Sequence, residues 1–188
     1  MRHFTTIIAG TLLLGLLLTP RPAAAGVDFM NFTYKVNPCG SSDGKTPPPP
    51  VAMQKGKAFY AIAVDAGFDL QVERLVEGSL APGTRQAVVV ISCHYPVDGG
   101  AAGAYLFEER NTTARFVQQV GEAQWGGDWG EPSETIHIRF ANGFLYVDQC
   151  KSVTHCIEGS DFVVTTYARR DGKIVKVYQE THKRSTYP

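Results

Sequence analysis

From Asn31 onward the chain alternates β-branched and aromatic residues with polar ones, and Gly, Pro, Asn and Asp break the alternation repeatedly. Successive strand residues point to opposite faces, so this pattern builds half-buried strands. No segment holds apolar residues at a sustained helical spacing. Candidate strands run over 31–36, 58–64, 70–77, 85–94, 104–109, 115–120, 135–141, 144–149, 162–169 and 173–179. The predicted fold class is therefore all-β: one mostly antiparallel domain, built as a sandwich or an irregular barrel. Ala87-Val88-Val89-Val90-Ile91 lacks alternation, which suits a central strand buried on both faces.

Turn chemistry sets the register of two hairpins. Asn142-Gly143 is a two-residue turn whose positions tolerate positive φ. It predicts Ala141 opposite Phe144, Phe140 opposite Leu145, Ile138 opposite Val147 and Ile136 opposite Gln149. The face of the last three pairs is almost wholly apolar and is the expected core face. The outward face would pair Arg139 with Tyr146, a cation over a ring, and His137 with Asp148. A slip of one residue would invert every side chain. Asp171-Gly172 predicts a second hairpin, with Ala168 opposite Val175 and Thr166 opposite Val177. A looser turn at Ala81-Pro82-Gly83 joins two further strands.

Residues 1–25 have a different grammar. Arg2 and His3 give a basic start, 7–18 is apolar, Pro20 and Pro22 break the run, and Ala23-Ala24-Ala25 precedes Gly26. These are the three regions of a secretory signal peptide cleaved before Gly26. The apolar run falls short of the ~20 residues of a membrane span. Residues 26–188 then form the single β-rich domain, with no membrane span after cleavage and a proline-rich surface loop at 40–50.

Charge excludes one function class. The chain has 18 basic and 18 acidic residues, and loss of Arg2 and Arg21 with the signal leaves a slight acidic excess. No basic nucleic-acid-binding face is expected. Lys173, Lys176, Lys183 and Arg184 read as solvated charge on an edge strand and tail.

An exported protein meets oxidising conditions, and Cys39, Cys93, Cys150 and Cys156 then imply two disulfides. Three pairings are open. Cys150 and Cys156 flank a short loop, which favours a local bridge and leaves Cys39 with Cys93. On the chain-entropy account the long loop gains ~4 kcal/mol and the short one ~2.5 kcal/mol. A metal site from Cys150, His155 and Cys156 matches no established zinc spacing; no metal and no cofactor is expected.

Asn37-Pro38-Cys39, the segment 77–83 and Ala87-Val88-Val89-Val90-Ile91-Ser92-Cys93 resemble the LppP/LprE-like bacterial exported proteins and their secreted relatives. Those carry an early cysteine, a Gly-Asp-Leu-Thr-Gly-Asp-Gly-like loop, an Ala-Val-Val strand and a second cysteine. The resemblance implies a Cys39–Cys93 pair and a bacterial, exported protein; it implies no settled activity. This chain departs from the pattern in its loop, where Ser79 and Pro82-Gly83 replace acidic positions. Only Glu77 offers a carboxylate, so no calcium is expected there. Asn31-Phe32-Thr33 and Asn111-Thr112-Thr113 fit a glycosylation pattern that matters only in a eukaryotic host.

Chemistry-bearing residues are few. Trp125, Asp128 and Trp129 lie in a glycine-rich segment and could offer stacking platforms with a polar partner, or anchor the loop on the core. His137 and Asp148 could begin a catalytic triad, with Ser133, Thr135 or Ser152 as nucleophile, but none sits in a Gly-x-Ser-x-Gly elbow. A surface cross-strand pair is the simpler reading. Ser92-Cys93-His94 puts a nucleophile type beside a histidine, but neighbours in a strand face opposite ways. The expectation is a soluble periplasmic or secreted domain with a non-enzymatic binding or structural role. Its partner would be a small molecule, a glycan or an envelope protein, the last through exposed sheet edges. The alternative is an exported hydrolase using His137 and Asp148.

Overall fold

The computed structural model describes residues 26–37, 39, 50–63, 66–95, 99–125, 136–151 and 160–183, with the backbone alone at 61–63, 66, 124 and 125. The expected signal peptide and most of the proline-rich loop lie outside them.

Eleven strands form three antiparallel sheets, with no helix longer than one 3-10 turn at Phe29–Asn31 among the described residues. The first sheet is a small ribbon of β1 (Thr33–Tyr34) and β2 (Val51–Ala52). The second is a five-stranded meander in chain order: β3 (Lys57–Ala63), β4 (Ala66–Gly78), β5 (Arg85–His94), β6 (Gly100–Arg110) and β7 (Thr113–Trp125). The third is a four-stranded meander: β8 (Ile136–Ala141), β9 (Phe144–Cys150), β10 (Asp161–Arg170) and β11 (Lys173–Lys183). Among the described residues no sheet closes into a barrel, and the sheets pack face to face as in the expected sandwich.

The large sheet is the middle layer. Side chains 87–91 of β5 are at most 1 % exposed, and they alternate between two cores. Ala87, Val89 and Ile91 join Phe29, Tyr34, Met53, Leu70, Tyr105 and Phe107 beneath the N-terminal segment. Val88 and Val90 join Ala104, Leu106, Val120, Ile136, Leu145 and Val147 beneath the small sheet. A strand with both faces buried needs no polar alternation, which accounts for the apolar run.

The sheets meet closely at Gly78 of β4. A Cβ there would overlap Cγ of Phe140 on β8, so the ring lies on bare backbone. Elsewhere β7 bulges at Val120, which has no partner in the register with β6. The small sheet satisfies backbone groups nearby: Tyr167 donates to the Val120 carbonyl at 3.1 Å, and Gln149 accepts from the Glu122 N–H at 3.2 Å.

The Asn142-Gly143 hairpin has the expected register at every pair, with φ of 52° and 76° at its two turn residues. The Asp171-Gly172 hairpin departs from expectation after Ala168–Val175. A register shift between Thr166 and Tyr167 sets Thr166 opposite Tyr178 and not Val177. Asn111, at φ 58°, supports a further tight turn between β6 and β7.

Cys39 and Cys93 are disulfide-bonded, the one such bridge among the described residues. It ties the N-terminal segment to the end of β5. The expected Cys150–Cys156 bridge involves Cys156, which lies outside the described residues, as do His155 and Ser152.

Candidate binding cleft on the small sheet

The outward face of β8–β11 carries a cleft of about 590 Å³, lined by Arg74, His137, Arg139, Tyr146, Asp148, Val164, Glu180 and His182, with Ile138 at its edge. Register explains the grouping. His137, Asp148, Val164 and Glu180 are successive cross-strand partners, one from each strand. Arg139 and Tyr146 form the next row, the guanidinium 4.4 Å over the ring.

Arg74 comes from the large sheet. The β4–β5 register shifts between Val72 and Arg74, leaving Glu73 as the extra residue of a bulge. A bulge re-aims side chains. Here Arg74 reaches the free edge of β8, where its Nη1 donates to the Ile136 carbonyl at 3.5 Å.

Asp148 is the centre of the cleft chemistry. His137 is its partner across the strand pair, as expected. Its carboxylate also lies 3.0 Å from Nε2 of His182, two strands away on β11. The Nδ1 of His182 lies 3.1 Å from the Lys183 carbonyl. Each ring nitrogen thus faces an oxygen, and the hydrogen bond to Asp148 pushes the His182 pKa above its ordinary value. The buried Phe162 ring lies between the two imidazoles, 6.2 Å from His137 and 6.0 Å from His182. Glu180 accepts from Tyr178 Oη at 2.6 Å.

A second polar cluster sits on the large sheet. Ser92 hydrogen-bonds Glu73 through a short contact, and its Oγ lies 3.1 Å from Nε2 of His94. Ser92 is fully buried, and its Oγ also lies 3.4 Å from the Gln71 carbonyl oxygen. Cys93 points the other way, into the core and its disulfide.

Of the other expected site residues, Asp128, Trp129, Ser133 and Thr135 lie outside the described residues. Trp125 ends β7, its backbone opposite Gly100. Among the described residues no three His, Cys, Asp or Glu side chains group as metal ligands, and no helix is long and apolar enough to cross a membrane.

The sequence reading missed His182, Arg74 and Glu73. For His182 the signal was present: Tyr178, Glu180 and His182 continue the alternation beyond residue 179. For Arg74 and Glu73 there was none, because a bulge inside a regular pattern leaves no mark on it.

No family model, no curated protein and no solved structure matches this chain.

Proposed function

We propose that the chain is exported, works in the periplasm or outside the cell, and binds a small organic anion in the cleft of the small sheet without chemically changing it. One observation carries the binding reading at His182: its Nε2 meets Asp148 and its Nδ1 faces the Lys183 carbonyl, so neither nitrogen opens to a substrate. A general base needs an open lone pair. The Asp148 carboxylate instead raises the His182 pKa and so favours its cationic form.

The ligand class follows from the lining. Tyr146 and Val164 supply apolar surface, and Arg74, Arg139 and His182 supply cations against Asp148 and Glu180. Guanidinium groups recognise planar carboxylates in two-point fashion, so an aromatic carboxylate fits best. Export rests on the leader at 1–25, the oxidised Cys39–Cys93 pair and the resemblance to LppP/LprE-like proteins.

Calorimetric titration of the purified protein with benzoate, phosphate esters and neutral oligosaccharides tests the reading. Benzoate-type ligands should bind, and Arg139→Gln should weaken them about tenfold, the loss of one charge-assisted contact. Binding of neutral glycans alone, lost on Trp125→Ala or Trp129→Ala, would move the site to that segment. Ester hydrolysis abolished by His137→Ala would establish the enzyme instead.

A further inference from the structure

We infer that cleavage before Gly26 creates a docking group: the new α-ammonium of Gly26 pairs with the buried carboxylate of Glu109. The inference rests on the export reading above.

Glu109 lies on β6 with its side chain 3 % exposed. Both carboxylate oxygens are buried, and neither has a hydrogen bond among the described residues. Arg85, its cross-strand partner on β5, brings Nη2 to 3.3 Å from Oε2, but that guanidinium is itself 55 % exposed and meets the carboxylate from one side without hydrogen-bond geometry. A buried carboxylate with this little support is costly, and a native fold supplies it with donors.

The missing donor is close by. A substituent on the Gly26 Cα would stand 3.9 Å from Glu109 Oε2 and 3.3 Å from Arg85 Nη2. The α-nitrogen is bonded to that same Cα, about 1.5 Å away. In the uncleaved chain it is an amide with one proton and no charge. After cleavage it is an ammonium with three protons and a full charge. Val27 and Phe29 pack into the core beside it and fix its approach. Arg85 also faces the position and opposes a second cation; Asp28 lies two residues along the chain. The Asp28 carboxylate is occupied by the Met30 N–H and the Asn31 side-chain amide.

The test uses the full chain, expressed with its leader in a secreting bacterium. Intact mass should show a product starting at Gly26. NMR titration should place its α-amine pKa above the ordinary ~7.7–8.0. Acetic anhydride at neutral pH should modify the α-amine at least tenfold more slowly than in Glu109→Gln. A Gly26 start with an ordinary α-amine pKa overturns the docking alone, and that measurement needs no variant to fold. A different start, or no cleavage, removes the export reading and the docking with it.

Discussion

Asp148 is tied to His182, 3.0 Å away on the far strand of the small sheet, while His137 is its neighbour in register. The pairing is legible only in three dimensions, and it raises the pKa of His182.

A pH dependence follows. The carboxylate raises the His182 pKa above its ordinary value. A group with a raised folded pKa contributes stability that is full below its unfolded value, near 6.5, and is lost as pH rises through the folded value. Asp148→Asn should therefore cost more stability at pH 5.5 than at pH 9. The pair is partly solvated, so the cost should stay under ~1 kcal/mol. Histidine NMR should show the His182 midpoint fall in the variant; an unchanged midpoint would refute the pairing.

The opposite sign is expected at Glu108. This β6 carboxylate hydrogen-bonds Arg169 on β10, joining the two sheets, and that bond holds its pKa below the usual carboxylate range. Arg110 adds a second contact at 3.3 Å. Stability from a depressed carboxylate is full above its unfolded pKa and is lost as pH falls through the folded one. Glu108→Gln should destabilise by ~1–3 kcal/mol at pH 7, the cost of breaking a charge-assisted bond. Urea unfolding at pH 7 and at pH 3 should show the gap between variant and parent closing in acid.

Strands and turns were readable because both are local. Asn142-Gly143 placed Ile138 against Val147 and His137 against Asp148, since two positive-φ residues and one apolar face admit a single register. The five apolar residues from Ala87 likewise announced a strand covered on both faces. What escaped was set by bulges. The shift at Thr166/Tyr167 moved Tyr178 opposite Thr166, and the one at Val72/Arg74 sent Arg74 into the cleft. A bulge costs a pattern only one residue, and tertiary packing chooses where it falls. Glu109 escaped for a different reason: nothing in its alternating segment marks a carboxylate that folds inward.

The Cys39–Cys93 disulfide should carry a large share of stability. It spans 54 residues of sequence and attaches the N-terminal cover to the end of β5. Closing a loop of that length is worth ~4 kcal/mol on the chain-entropy account. Replacing both cysteines by alanine should lower the denaturation midpoint by a corresponding amount, read by urea titration under non-reducing conditions. A loss below ~1 kcal/mol would mean that the cover holds without its staple.

The contact of Gly78 with Phe140 gives a sharp test of the sandwich. Gly78→Ala would drive a methyl group into the Phe140 ring, and β4 cannot retreat without disturbing its ladder to β5. Overpacking of this kind costs ~1–3 kcal/mol. Phe140→Leu removes ring atoms from the contact and should by itself cost ~1 kcal/mol. Combined with Gly78→Ala it should be less damaging than the sum of the single changes, because the smaller side chain makes room for the methyl. A double-mutant cycle measured by thermal unfolding reads that coupling directly. Strict additivity would show that Gly78 and Phe140 do not touch, and that the small sheet does not sit on β4 as described.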